Sequence, residues 1–355
     1  MAVTINEIAQ LARVSKSTVS RVLNKSGPVS KKTAEAVRRV IQSVDFRPNI
    51  LARSLALKKT KTVSLIVQDI RNPFFSNACW YAERYFRQHG YIAIICNINN
   101  DTLLEAEMIE EMKRRHVDGV LCIGDAYNKL YTGDDLCSVR EMPVVTIDRY
   151  TENAACSSVN LDNVYGAQLA VDYLFTLGHR KIAFATSGTN NAERDRLEGY
   201  IVEHRNRGVS VDYSMIVTLD ERMWHDGELN GILRIFSTDE KPTALFASND
   251  FKAVQILRLF KKNHIRVPED ISIIGFDDID IASSVHPALT TVHQPIDKMV
   301  ELGAKLLLAE IEESFFSPEH KTLMPWLVER ESTRKVGEKP RLQGDFIRSS
   351  CVRKK

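Results

Sequence analysis

Residues 16–24, KSTVSRVLN, gather Lys16, Ser17, Ser20 and Arg21 on one face of a short predicted helix, with Val19, Val22 and Leu23 on the other. Cations and small hydroxyls on so narrow a polar face suit the major groove of a nucleic acid, where hydroxyls and helix N-termini hold phosphate oxygens. No nucleophile motif, glycine-rich phosphate loop or metal-ligand cluster occurs along the chain, so the sequence predicts no enzyme and no cofactor. The nearest approach to catalytic chemistry is a pair of carboxylates, Asp148 and Asp277, which an enzyme would use as an acid and a base.

Three predicted helices position that polar face. Thr4 can cap the first and Glu7 can reach back to it, a capping box, with Ile5, Ile8, Ala9, Leu11 and Ala12 on its apolar side. Arg13-Val14-Ser15 interrupts the pattern, and Ser15 can cap the second helix, Lys16–Asn24. After a loop at 24–28, Ser30 can cap a third helix over 31–44, with Ala34, Val37, Val40, Ile41 and Val44 at helical spacing. Two short helices joined by a tight turn and followed by a longer one form a helix-turn-helix. Residues 1–60 hold twelve Lys and Arg against three Asp and Glu, a charge of +9, while the rest of the chain carries −7. A basic head on a mildly acidic body is the asymmetry of a module that meets a polyanion.

Arg47-Pro48-Asn49 breaks the third helix, and Ile50–Lys59 is a short helical stretch with basic ends. It is below the roughly 12–15 residues at which an isolated helix holds in water, so it orders only against a partner.

The chain has 355 residues, 44% apolar and 26% charged, which suits a soluble protein of two or three domains. No apolar run approaches the ~18 residues of a membrane span, and the N-terminus does not read as a secretion signal. The expected location is the cytoplasm, and Cys79, Cys96, Cys122, Cys137, Cys156 and Cys351, which lack CxxC spacing, are expected to be reduced thiols. From Thr62 onward strand-like runs (63–67, 91–96, 120–123, 144–147, then 181–186, 244–248, 271–275) alternate with helical stretches (103–115, 165–177, 251–263, 298–313). Such alternation predicts doubly wound parallel sheets. Two series predict two α/β lobes facing across a cleft at the strands' carboxyl ends.

The strings VSKSTVSRVLN, VSKKTAEAV and FRPNILARSLA resemble the head of the lactose/purine/galactose repressor family, the LacI/GalR family of bacterial transcription regulators. The resemblance runs over about residues 3–334 through DIRNPFF (69–75), RRHVDGVL (114–121), PVVTIDR (143–149), LGHRKIAF (177–184), KPTALFASND (241–250), VPEDISIIGFDD (267–278) and PALTTVHQP (287–295). It implies a helix-turn-helix head (1–47), a hinge helix and linker (48–61) and a periplasmic-binding-protein-like sensor (62–334). The sensor's first lobe spans 62–160 and 293–322, its second 161–292 and 323–334. Residues 335–355 fall outside the resemblance, have no heptad pattern, and are expected to form a disordered tail.

For the head, the resemblance implies base reading by Lys16, Ser17 and Arg21, where Lys and Arg suit guanine and Ser is weakly selective. Thr4, Ser15, Ser20, Asn24, Ser30 and Thr33 match positions that grip phosphates. Asn49, Ala52 and Leu55 match hinge positions at the DNA, with Leu55 wedging a central base step. For the body it implies ligand contacts from Phe74, Phe75, Asp148, Arg196, Trp224, Asn249, Asp277 and Gln294. Arg149 and His293 add charge nearby, which leaves a phosphorylated or acidic sugar open. The implied protein is a homodimeric repressor of carbohydrate-utilisation genes on a pseudo-palindromic double-stranded DNA operator, released by a small-molecule effector, a sugar or sugar derivative. Two rivals are a global catabolite regulator with a phosphorylated protein partner and a stand-alone sugar-binding protein.

Overall fold

The computed structural model describes residues 4–24, 27–44, 59–99, 101–124, 142–149, 156–188, 190–219, 230–236, 241–313 and 317–338. The chain divides into two compact units, Met1–Thr60 and Lys61–Lys355.

In the first unit, α1 (Ile5–Leu11), α2 (Lys16–Asn24) and α3 (Lys31–Ser43) form a three-helix domain. Thr4 and Glu7 close the capping box at α1: the Glu7 amide donates to Thr4 Oγ1 at 3.3 Å and the Thr4 amide to Glu7 Oε2 at 2.7 Å. Arg13, in the left-handed region at φ 56°, turns the chain between α1 and α2. One residue from each helix, Ile8, Val19 and Val37, is fully buried, and Ile5, Val22, Leu23, Val40 and Ile41 pack around them. This small core leaves the polar face of α2 outward.

The second unit is built on two sheets. Six described strands form the first: β1 (Thr62–Val67), β2 (Ile92–Asn97), β3 (Gly119–Ile123), β4 (Val144–Ile147), β5 (Ser158–Leu161) and β11 (His320–Leu323), ordered β11-β5-β4-β3-β1-β2 and parallel throughout. Another six form the second: β6 (Ile182–Thr186), β7 (Ile216–Thr218), β8 (Ala244–Ala247), β9 (Ser272–Asp277), β10 (Thr290–His293) and β12 (Trp326–Val328), ordered β12-β10-β9-β8-β6-β7. Only the β10–β12 pairing is antiparallel among them. The first sheet carries α4 (Pro73–Gln88), α5 (Thr102–Arg114) and α11 (Ile296–Glu312). The second carries α6 (Asn163–Thr176), α7 (Asn191–Asn206), α8 (Asn230–Ile235), α9 (Asp250–Lys262) and the short α10 (Asp280–Ser284).

Burial explains which strands the apolar runs announce. The central strands β3, β4, β6, β8 and β9 are buried along their whole length and read as continuous apolar runs. Strands β5, β7, β10, β11 and β12 were not expected, because they are three or four residues long and either polar or at an edge. Helices α6 and α7 pack closely because residue 199 is glycine: a Cβ there would lie 2.2 Å from the Val164 carbonyl oxygen. The chain passes between the sheets three times, from β5 into α6, from β10 into α11 and from β11 into β12.

Two expectations need correction. Cys79, Cys96 and Cys122 are free buried thiols, and burial pushes Cys79 up to about 11. Cys156, however, takes part in a disulfide. Pairing requires only that two Cα atoms approach to about 4.4–6.8 Å, which a fold can supply without any CxxC spacing. Cys137 and Cys351 lie outside the described residues. Residues 335–338, expected to open a disordered tail, are held in place: the Val336 amide donates to the Leu177 carbonyl at 2.9 Å and Arg334 Nη1 to the Glu338 carbonyl at 3.0 Å. Residues 339–355 lie outside the described residues. Among the described residues no helix is long and apolar enough to cross a membrane.

Candidate functional site

On the head, Lys16, Ser17 and Arg21 are exposed on the outer face of α2. The hydroxyls around them cap the helices. Ser15 Oγ accepts from the Thr18 amide at 3.1 Å and lies 2.7 Å from Ser17 Oγ. Ser30 Oγ accepts from the Thr33 amide at 3.1 Å and lies 2.8 Å from Thr33 Oγ1. Capping satisfies amides that α2 and α3 leave unpaired at their N-termini. Ser20 is half-buried, and Asn24 is the last residue of α2. Asn49, Ala52, Leu55 and Trp224 lie outside the described residues.

In the body, a cleft of about 610 Å³, open solvent included, is lined by Gln68, Asp69, Asn72, Phe74, Phe75, Gly124, Asp148, Asn190, Ala192, Glu193, Arg196, Asn249, Phe251 and Asp277. Those before residue 150 follow strands of the first sheet, and the others follow strands of the second, so the cleft opens where the two sheets' carboxyl ends meet. Asn72, Asn190 and Asn249 cap α4, α7 and α9: their side chains accept from the amides of Phe74, Glu193 and Lys252 at 3.1, 2.8 and 2.8 Å. Phe74 and Phe75 meet edge to face, ring centroids 5.2 Å apart, and form an apolar wall that continues into the core. Gly124 is required beside them. Its φ is 73°, and a Cβ would come within 2.9 Å of both Gln68 Oε1 and Phe75 Cε1.

Arg196 is the hub of the cleft. It is buried, and each guanidinium nitrogen is engaged: Nε donates to Asn163 Oδ1 (2.9 Å), Nη1 to the Ser248 carbonyl (2.6 Å) and Nη2 to Gln294 Oε1 (3.3 Å). Its Nη1 lies 3.3 Å from Asp277 Oδ1, its Nη2 4.0 Å from Asp148 Oδ2, and its face lies 3.7 Å from the centre of the Phe276 ring. Asp148 accepts from Asn163 Nδ2 at 2.9 Å and Gln294 Nε2 at 3.2 Å. The network thus ties Asp148, at the end of β4, to Arg196 on α7 through residues that begin α6 and precede α11, the places where the chain changes lobe. Asp148 and Asp277 hold left-handed backbone, φ 54° and 114°, rare for non-glycine residues and found where a site constrains the chain. Burial, the largest influence, pushes the Asp277 carboxyl up to about 7 against the pull of Arg196, with Asp148 adding to the rise.

Beneath the cleft, Glu193 and Lys252 form an ion pair with both side chains buried. Burial pushes Glu193 up, but Lys252 and bonds from Thr186 and Ser187 outweigh it and hold the carboxyl down at about 2. The sequence reading missed this pair. The Gln68, Asp69, Asn72, Asn190, Ala192, Phe251 and Gly124 contributions also escaped it, because nothing in their spacing marks them as facing one space.

Three expectations shift on this geometry. Gln294, expected to touch the ligand, is buried between Arg196 and Asp148, bonds to both, and is not among the residues that line the cleft. Arg149, expected to add charge near the cleft, is buried against a carboxylate of the first lobe. Its Nη1 meets Glu105 Oε1 at 2.6 Å in the first lobe. His293 Nδ1 lies 2.7 Å from Asp278 Oδ2, and its ring stacks on Trp326 with centroids 4.0 Å apart. Neither group lines the cleft.

Known proteins share this architecture. Residues 4–49 match the model of bacterial regulatory proteins of the lacI family, and residues 171–333 that of a periplasmic binding protein-like domain. The ribose operon repressor of Escherichia coli (strain K12) is 31% identical over 330 residues, covering 93% of this chain and 99% of that one. The solved complex of the transcriptional regulator CelR with cellobiose superposes with a TM-score of 0.68 at 27% identity, over 93% of this chain and 99% of that one. A LacI family transcriptional regulator from Enterococcus faecalis V583 with bound ribose gives 0.67 at 28% identity, over 78% and 99%. With its helix-turn-helix head, two-sheet body and full-length similarity to a repressor, the chain belongs to the lacI family of bacterial regulatory proteins.

Proposed function

We propose that this protein is a transcription repressor that binds operator DNA through its head and answers to a sugar held in the cleft. The observation that carries this reading is the Arg196 network: one guanidinium joins side chains from both lobes and from two of the crossovers, so a ligand that bonds to it biases how the lobes meet. The relatives' names point the same way, toward control of a ribose operon and toward bound ribose and cellobiose.

In this reading Lys16 and Arg21 read base edges while Ser17, at the start of α2, tests a base weakly. Thr4, Ser15, Ser20, Asn24, Ser30 and Thr33 hold phosphates, and Asn49, Ala52 and Leu55 engage the minor groove. Two copies bind a pseudo-palindromic site, since the symmetry of a dimer is mirrored in its DNA. Ligand and operator affinities are coupled, each changing the other by the same factor. Asp148 and Asp277 act as hydrogen-bonding partners and not as an acid–base pair, because both already hold the Arg196 network. The test is selection of a binding sequence from random duplexes, followed by titration with and without D-ribose and D-cellobiose. A palindromic sequence whose affinity falls with sugar supports the reading, and binding without sequence preference refutes it.

A further inference from the structure

The charge around the cleft says more about what it takes, granted the reading of the cleft as an effector site. Among the described residues, several cations at or near the cleft meet carboxylates. Arg71 pairs with Asp69 at 2.7 Å, Arg149 with Glu105 at 2.6 Å, Lys252 with Glu193, and Arg196 with Asp277 and, at longer range, Asp148. His293 pairs with Asp278. Among the described residues, four carboxylates line the cleft, Asp69, Asp148, Glu193 and Asp277, against one guanidinium, Arg196.

A phosphate or carboxylate ligand is recognised by a cation whose fork is open to it. Here three of the five Arg196 donors bond to Asn163, Ser248 and Gln294, another faces Asp277, and one face is covered by Phe276. The helix N-termini of α4, α7 and α9 also favour negative charge. Each is capped by an asparagine that lines the cleft, which takes up one of the amides there and adds a neutral carboxamide. A dianion entering this space would meet two carboxylates already sharing one guanidinium, in surroundings that screen poorly.

We propose that the cleft selects an uncharged, hydroxyl-rich ligand and turns away phosphate esters and sugar acids, with Asp148 and Asp277 as the residues that set this preference. Hydroxyls can donate to the two carboxylates and accept from the asparagine amides, and Phe74, Phe75 and Phe251 provide an apolar wall for the carbon face.

The experiment measures thermal stability of the full-length wild type, Asp277→Asn and Asp148→Asn in inorganic phosphate and D-ribose 5-phosphate, against chloride at matched ionic strength. The wild type is expected to show no anion-specific rise. At pH 8, above the value of about 7 to which the Asp277 carboxyl is raised, each variant removes one negative charge at constant shape and is expected to gain a rise of about 2–4 °C. Either variant suffices if the other fails to fold. Stabilisation of the wild type by either anion, lost in Arg196→Lys, overturns the proposal. So does a folded variant that gains nothing, since charge would then not be the gate. DNA binding by the same preparations is followed separately: its absence would refute the regulator reading and leave the anion result standing.

Discussion

Arg196 Nη1 and Asp277 Oδ1 lie 3.3 Å apart on the floor of the cleft, both side chains almost wholly removed from solvent. Arg196 also covers the ring of Phe276, the residue before Asp277, so the end of β9 and the guanidinium hold one another. Arg196→Lys retains the charge but cannot satisfy Asn163, Ser248 and Gln294 together. The variant is expected to lose about 1–3 kcal/mol for each buried polar group left without a partner. It should also lose its response to sugar while the isolated head's contribution to DNA affinity stays. Urea unfolding and operator titration with and without sugar check this; an unchanged sugar response would remove Arg196 from the signalling role.

Lys252 and Glu193 test how the cleft floor is supported. Lys252→Met leaves Glu193 buried without its cation and is expected to cost about 3–5 kcal/mol. The double variant Lys252→Met/Glu193→Gln removes both charges and should recover much of that loss. Denaturant midpoints of the two variants decide the matter. Equal loss in both would mean that packing, and not charge, is what the pair contributes.

Asp277 makes the stability of the folded protein depend on pH. Its folded carboxyl is raised from 3.8 to about 7, so the folded state holds the proton more tightly than the unfolded chain. The stability this adds is present at low pH and is lost as pH rises from about 4 through about 7. Glu310, pushed up to about 7 chiefly by burial, acts in the same sense. His179, held down at about 4 by burial, acts in the opposite sense below its ordinary value. The clean quantity is therefore a difference: Asp277→Asn should gain stability relative to wild type as pH is raised from 5 to 8. A difference that is flat or falls with pH would contradict the raised carboxyl.

On the head, Arg21→Ala is expected to lose about 1–3 kcal/mol of discrimination at one base pair of each half-site. Ser30→Ala should instead cost about 0.5–2 kcal/mol of head stability through the lost cap on α3. Competition against single-base operator variants separates the two effects. Uniform weakening across all sequences in Arg21→Ala would make it a phosphate contact.

The parts legible in the sequence are those governed by local rules. The caps Thr4, Ser15 and Ser30 and the apolar stripes that bury Ile8, Val19 and Val37 follow from helical spacing. The fully buried strands β3, β4 and β6 stand out as continuous apolar runs. The strand-end polar residues Asp148, Asn249 and Asp277 came from the resemblance, and the structure brings them into one cleft. What stayed hidden depends on which residues the fold brings together. Glu105 with Arg149 and Glu193 with Lys252 are pairs of distant residues that no spacing marks, and the short edge strands β11 and β12 carry too few residues for a period to show. The Cys156 disulfide belongs to the same class.

Release from DNA by sugar is measured as the affinity of the selected operator duplex by fluorescence anisotropy, with and without the uncharged sugar that most stabilises the protein. Affinity is expected to fall roughly 5–150-fold, the usual range of such coupling, with the response lost in Arg196→Lys. A sugar that binds the cleft and leaves operator affinity unchanged would contradict it.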